Sequence, residues 1–348
     1  MNSSIKLCSE CFQDQGLKLL AEKIGRPSSH PCSNCSTKIG FKLTIDQIEE
    51  LAYRFFVVGS LFRPDYGAAP RIQFNKYQKS DINLSETLNT DIKLFEKCLD
   101  IGFFHYGPRL WMIGEIEPLK DLQNNKTRLS VFEKIINEYP TTILKETDLF
   151  YRIRANPNNP SNSNEYDSSP FPGNGRLDSI NHSVLYGSQD LEVCIHECRV
   201  TIEDEIYVAT LKPNKSLKLL DLTSLLEENV TEFESLDLSI QMLFLASKHS
   251  YGISQELSIY VSKKGFDGII YPSYFSLIRT GEIPFPTVYG ISTRKIALYQ
   301  EYEKNRTIKN LAIFGNPIKD KYLTINNINK LYLNQISYSY GFGPVEIG

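Results

Sequence analysis

Two pairs of cysteines dictate how the first tenth of this chain can fold. Cys8-Ser-Glu-Cys11 and Cys32-Ser-Asn-Cys35 are knuckles separated by 20 residues, a spacing that lets four thiolates converge tetrahedrally on one ion. Four soft ligands of this kind select Zn2+. A segment this short has no core of its own, so the bound metal would supply its folding energy, and residues 1–40 are expected to form a structural zinc ribbon. Four cysteines leave no open coordination position, which argues against a catalytic metal. His30 sits at a less regular offset and is left out of the ligand set. The other three of the seven cysteines, Cys98, Cys194 and Cys198, are scattered, and an odd count without a secretion signal points to reduced thiols rather than a disulfide scaffold.

From residue 41 to about 145 the apolar positions recur at helical spacing. Ile45, Ile48, Leu51, Ala52, Phe55 and Phe56 form one stripe, Leu94, Cys98 and Ile101 a second, and Leu129, Phe132, Ile135 and Ile136 a third. Thr44 three residues ahead of Gln47 reads as a capping box, each residue satisfying the other's free amide. This stretch is expected to be a small helical domain.

Residues 146–348 read differently, as short strands mixed with a few helices. Leu149–Arg154, Ser183–Tyr186, Glu205–Leu211, Leu217–Leu220, Ile269–Tyr271 and Val288–Ile291 have strand character, while Leu191–Val200 and Leu236–Lys248 have helical character. The run from Asn156 to Gly175 is rich in Asn, Ser, Pro and Gly and is expected to be a surface excursion framing a site. Strands of antiparallel type with segregated helices place the chain in the α+β class.

The balance of 38 Lys+Arg against 41 Asp+Glu gives a net charge of −3, which provides no basic field for non-specific nucleic-acid binding. No run reaches the roughly 18 apolar residues of a membrane span, and no signal-length stretch opens the chain. A soluble cytoplasmic protein with no membrane partner is expected.

The polar residues of the last segment suggest chemistry. Gly175-Arg176 stands where the polar loop re-enters a strand, and a guanidinium fork matches two oxygens of a pyrophosphate. Tyr186 closes that strand and offers a flat face. Glu197 adjoins the apolar stripe Leu191, Cys194, Ile195 and Cys198 of its helix, and a carboxylate there could steady a developing oxocarbenium ion. Ser273, after Tyr271-Pro272, adds a hydroxyl in a turn. Each alone is more often an ordinary surface, packing or turn residue; together they suit a site that holds a dinucleotide and breaks a glycosidic bond.

This combination resembles the RES-domain family, the NAD+-degrading toxins of bacterial toxin–antitoxin systems. Phe150-Tyr-Arg152 is similar to the family's opening strand, Gly175-Arg176 and Leu185-Tyr186 to its central motif, Glu197 to its helix carboxylate, and Gly265-Phe-Asp-Gly-Ile-Ile-Tyr-Pro-Ser273 to its late serine motif. Tyr207–Lys212 and Leu219–Leu222 look like its middle strands, and the helical segment is similar to the HEPN/RES-type N-terminal domain fused to many members. The resemblance implies a diphtheria-toxin-like ADP-ribosyltransferase fold and cleavage of the nicotinamide–ribose bond of NAD+. It further implies that Arg152 and Arg176 bind the pyrophosphate, Tyr186 stacks on the nicotinamide side, Ser273 fixes the ribose or amide, and Glu197 stabilises the transition state. An antitoxin or other regulatory partner is also implied. Leu177-Asp178 departs from the family pattern and is expected to add a carboxylate beside the phosphate site.

Three acceptors are compatible with this chemistry. Water gives a glycohydrolase, phosphate a phosphorylase, and a protein side chain a mono-ADP-ribosyltransferase. Ribonuclease action by the helical segment is disfavoured because within it no His follows an Arg at the required spacing; His105 precedes Arg109. A non-catalytic binding module is the remaining reading, disfavoured by the joint presence of Arg176, Tyr186, Glu197 and Ser273.

Overall fold

The structure is a computed structural model that describes residues 6–62, 69–106, 116–246, 248–273, 275, 301, 304–305 and 307–345. The chain forms two compact units. The first comprises Met1–Arg63, Ala68–Leu110 and Tyr338–Gly348, the second Pro64–Gly67 and Trp111–Ser337.

In the first unit, β1 (Leu7–Cys8), β2 (Arg26–Pro27) and β3 (Phe41–Leu43) form a small antiparallel sheet in the order β1-β3-β2. Helix α1 (Gln15–Ile24) starts at Asp14, whose carboxylate accepts from the Leu17 amide at 2.9 Å. Helix α2 (Ile45–Ala52) starts with the expected reciprocal box. The Thr44 amide donates to Gln47 Oε1 at 3.0 Å and the Gln47 amide to Thr44 Oγ1 at 3.4 Å. A π-helical turn over Tyr53–Val57 extends it and buries Phe55 and Phe56. Two short strands, β4 (Leu61–Phe62) and β5 (Ala69–Pro70), pair with each other. So do β6 (Ile72–Lys76) and β7 (Ile101–His105), which flank α3 (Glu86–Leu99). Ile101 therefore belongs to a strand and not to the helical stripe. Asp100, in the left-handed region at φ 55°, ends α3 and redirects the chain.

The core of this unit is aromatic, with Phe56 against Phe103 at 4.3 Å and Phe12 against Phe95 at 5.4 Å between ring centroids. Asp91 lies inside it, buried, and its carboxylate accepts from the amides of Gln13 at 2.9 Å and Asp14 at 2.8 Å. Burial raises the pKa of that carboxyl, against the two amides that lower it.

The second unit opens with α4 (Glu117–Gln123), α5 (Arg128–Glu138) and β8 (Thr141–Leu144). The compact unit thus begins well before residue 145. Amphipathic spacing shows that a helix has an apolar face but not which core that face joins. Val131, Phe132 and Ile135 of α5 face a core shared with Leu243 and Leu257, while Leu129, first of the expected stripe, is 59% exposed.

An eight-stranded sheet dominates the unit, in the order β15 (Leu323–Leu331), β11 (Ile206–Pro213), β9 (Phe150–Ala155), β10 (Val184–Ser188), β14 (Lys309–Phe314), β13 (Gly268–Pro272), β12 (Leu217–Asp221) and β8. Every neighbouring pair is antiparallel except β12 and β13. With α6 (Leu191–Cys198), α7 (Leu236–Leu245) and α8 (Tyr251–Lys263), the architecture is α+β. None of the described helices is long and apolar enough to cross a membrane.

Adjacent residues of the central strands enter different clusters. Val184, Leu220, Ile269 and Ala312 pack with α5, α7 and α8, while Leu185, Leu219, Ile270 and Leu311 join a second cluster with Phe150, Tyr166 and Leu323. Because side chains alternate across a strand, both faces of the sheet centre are covered, which explains the unbroken apolar runs. Tyr166 departs from the expected surface character of the polar loop. It is fully buried, and its hydroxyl donates to the Pro160 carbonyl at 2.9 Å.

Most expected strands and helices stand within two residues of their predicted ends; Val288–Ile291 lies outside the described residues. In the second unit, strands β8, β14 and β15 and helix α8 went unpredicted, β8 falling in the stretch expected to be helical. In β15, Leu211 faces Ile325 but Thr210 faces Asn327, so Asn326 is an extra residue that breaks the two-residue alternation. Helix α8 buries Ser254 and Ser258 along with Leu257 and Val261, and buried serines blur an apolar stripe.

Replacing Asp91 with alanine would take the acceptor from the amides of Gln13 and Asp14. An Asp91→Ala protein is expected to lose about 2 kcal/mol or more of stability, read by denaturant unfolding followed through a probe in the first unit. An unchanged midpoint would show that water satisfies those amides.

Candidate active site

Within the second unit a cavity of about 710 Å3 is walled by β9, β10, α6 and the loop ending at Asp178. Its lining carries Arg152, Arg154, Arg176, Arg199 and Lys248 against Asp178 and Glu197. This local excess of positive charge is invisible in the chain's net −3. It suits an anionic ligand, and the size falls in the range of pockets that enclose small molecules.

The motif arginines are anchored to the main chain. Arg152 is buried on β9, and its terminal nitrogens donate to the carbonyls of Tyr186 at 2.8 Å and Asp167 at 2.7 Å. Its buried Nε has no partner among the described residues. Burial, helped by the like charge of Arg154, pushes its pKa down to about 9. Arg154 donates to the carbonyls of Glu165 at 2.5 Å and Asp167 at 2.7 Å, so one carbonyl serves both arginines. Arg176 donates to the carbonyls of Leu243 at 3.1 Å and Ala246 at 2.9 Å, at the electronegative end of α7, and lies 4.7 Å from the centre of the Tyr251 ring. These bonds fasten the polar loop and α7 to the cavity and leave positive potential on its wall.

Tyr186, on β10, holds the loop's other end. Its hydroxyl accepts from the amides of Leu177 at 2.8 Å and Asp178 at 2.9 Å and donates to Asp178 Oδ1 at 2.7 Å. Asp178 also accepts from the Gly173 amide. The carboxylate expected to disturb a phosphate site is instead buried as the staple of its own loop. Burial first, then the Asp178 charge, raise the Tyr186 pKa well above its ordinary value, so the phenol stays neutral. A Cβ at Gly175 would collide with Asp178 and the Tyr186 hydroxyl, which accounts for the glycine before Arg176.

Glu197 is placed by three elements. It lies in the last turn of α6, and its Oε1 accepts from Ser273 Oγ at 2.8 Å, just past β13, and from Asn310 Nδ2 at 2.6 Å, on β14. Ser273 is buried and also accepts from the Phe275 amide at 3.1 Å. Its hydroxyl therefore reaches the cavity through Glu197. Both donors are neutral and meet one oxygen, so the negative charge of Glu197 is oriented without being cancelled by a cation.

The first unit holds the four cysteines of the knuckles together. The Sγ atoms of Cys8, Cys11, Cys32 and Cys35 all lie within 4.8 Å of one another. Cys8 is 3.8 Å from Cys11 and 3.5 Å from Cys35, and Cys11 is 3.6 Å from Cys32. A tetrahedral ion with bonds of about 2.3 Å to sulfur sets its ligands about 3.8 Å apart, so this donor set fits a metal ion. Buried Lys42 braces the loop after the second knuckle, donating to the carbonyls of Thr37 at 3.0 Å and Ile39 at 2.6 Å.

The sequence motifs brought Arg152, Arg176, Tyr186 and Glu197 to one cavity, with Ser273 against Glu197. Asn310, Arg199 and Lys248 were missed. Asn310 is the buried polar member of Lys-Asn-Leu-Ala-Ile-Phe, and a single amide before an apolar run was the signal available.

No curated protein matches the chain. A chain from the crystal structure of the M. tuberculosis MbcT-MbcA toxin–antitoxin complex is similar at 10% identity and a TM-score of 0.34, over 58% of this chain and 92% of that one. Residues 149–282, which contain Arg152, Arg176, Tyr186, Glu197 and Ser273, match the family model of the RES domain, and the chain thus carries a RES domain.

Proposed function

We propose that this protein consumes NAD+ by cleaving the nicotinamide–ribose bond, as a growth-arresting toxin or defence effector with an ADP-ribosyltransferase-like catalytic unit. The observation that carries this reading is the carboxylate of Glu197, held by two neutral donors at the wall of a cavity rich in arginine. When the C–N bond breaks, its electron pair leaves with nicotinamide and the ribose carbon becomes oxocarbenium-like. A fixed carboxylate stabilises that charge without having to reorganise. Arg152 and Arg176 supply the positive potential that draws the pyrophosphate, Tyr186 shapes the nicotinamide side, and Ser273 orients Glu197. The acceptor oxygen, from phosphate or from water that gives up a proton to solvent, then bonds to the ribose carbon. A protein side chain in its place would make the enzyme a mono-ADP-ribosyltransferase. Depletion of NAD+ would stop growth, so an antitoxin or other regulatory partner in the same cytoplasm is part of the proposal.

Cys8, Cys11, Cys32 and Cys35 would hold Zn2+ in this reading. The metal would supply folding energy to the first unit and no step of the reaction.

Purified protein incubated with NAD+ should release nicotinamide, and the mass of the ADP-ribose product with and without phosphate separates hydrolysis from phosphorolysis. Glu197→Gln is expected to lower kcat about 100-fold or more; release at the parental rate would remove Glu197 from the chemistry. Absence of release, with the parent folded, would favour a protein acceptor or a binding module. Tyr186→Phe keeps the ring but frees two loop amides, so KM for NAD+ should rise more than kcat falls. Elemental analysis should find about one zinc per chain. Its removal by a chelator should lower the melting temperature of the first unit, while a metal-free protein with unchanged melting would refute the structural role.

A further inference from the structure

The family match ends at residue 282, yet the carboxylate at the heart of the site is held in part from residue 310. We infer that Asn310 is a positioning residue for Glu197, so that the catalytic unit is incomplete without β14. This inference rests on the proposed reaction and deepens it.

Three observations support it. Asn310 is 3% exposed and lines the cavity, and its Nδ2 lies 2.6 Å from Glu197 Oε1. A buried amide on a strand is retained only where its hydrogen bonds are made. Second, its position is over-determined. Asn310 pairs with Ser188 of β10 on one side and Tyr271 of β13 on the other. The Lys309 carbonyl beside it accepts from Ser188 Oγ at 2.7 Å, and the Ser273 amide donates to the Ile308 carbonyl at 2.9 Å. The backbone that carries the amide is therefore tied to the strands carrying Tyr186 and leading to Ser273. Third, the chemistry requires a donor without charge. An arginine or lysine in its place would form an ion pair and neutralise the carboxylate that must meet an oxocarbenium ion, whereas an amide fixes one oxygen and leaves the charge intact. Two donors on Oε1 also set the rotation of the carboxylate, with Oε2 accepting from neither.

Among the described residues, Tyr271 of β13 and Cys194 and Cys198 of α6 feel the Glu197 charge. All three are shifted upward, chiefly by burial, and Cys194 reaches about 12. Arg152 of β9 stays cationic below about 9. None of these groups titrates in the acidic range.

The test uses the full chain with Asn310→Ala and the isosteric Asn310→Asp. Asn310→Ala should lower kcat for nicotinamide release about 10- to 100-fold with little change in KM. In Asn310→Asp two carboxyls would share one proton, so activity at neutral pH should fall and the acid limb should move up by about one pH unit or more. Melting temperature supplies a readout independent of turnover. A raised carboxyl pKa in the folded state adds stability at low pH that is lost as pH rises through it. Asn310→Asp should therefore gain stability relative to the parent between pH 7.5 and about pH 5. Retained kcat in both variants, or an Asn310→Asp melting difference that does not vary with pH, would overturn the inference. A parent that releases no nicotinamide would count against the proposed reaction alone, and the melting series would still decide whether Asn310 holds Glu197.

Discussion

Strand β14, held between β10 and β13, is the constraint on which the second unit depends. Its register puts Ala312 opposite Tyr186 and Ile269, and Asn310 opposite Ser188 and Tyr271. That one ladder decides which side chains of three distant segments meet. The approach is close: a Cβ at Gly268 would lie 2.2 Å from the Ala312 carbonyl, so only glycine admits β14 at this spacing. Apolar residues on both faces of the ladder pack into two separate clusters, and the strand cannot slip by one residue without exchanging them.

The site built on this ladder divides its polar groups between two tasks. Arg152, Arg154 and Arg176 make their bonds to main-chain carbonyls, which fixes the loop of residues 156–178 and the end of α7 around the cavity. Five cations in the lining face two carboxylates, and one of those, Asp178, is engaged by Tyr186 and the Gly173 amide. Glu197 is left as the acidic group oriented by neutral donors. Such a separation of charges keeps an anion-attracting field and a cation-stabilising carboxylate in one cavity without mutual neutralisation.

The first unit follows a different logic. Its small sheet places two knuckles so that four sulfurs converge, and its aromatic core carries one buried carboxylate, Asp91, that caps the amides of Gln13 and Asp14 just after the first knuckle. A side chain from α3 thereby sets the exit of the chain from the cysteine cluster. These contacts join residues 77 and 78 positions apart and have no signature in local sequence.

Local pattern determined a good deal here. The CxxC spacing announced a four-sulfur cluster, Thr44 and Gln47 announced a helix start, and short apolar runs outlined β9 through β13, because each of these signals depends on residues a few positions apart. Arg176, Tyr186 and Glu197 were likewise legible as a group. Tertiary structure alone decided what those residues touch. It turned Asp178 from a disturbing charge into a staple and Ser273 into a partner of Glu197. It also brought Asn310, on the unpredicted strand β14, against Glu197. Helices α4 and α5 joined the large sheet's unit for a related reason: an amphipathic face must be buried, but periodicity does not name its partner. Contacts across the ladder are set by register and by the bulge at Asn326, and these are properties of paired strands that no single segment contains.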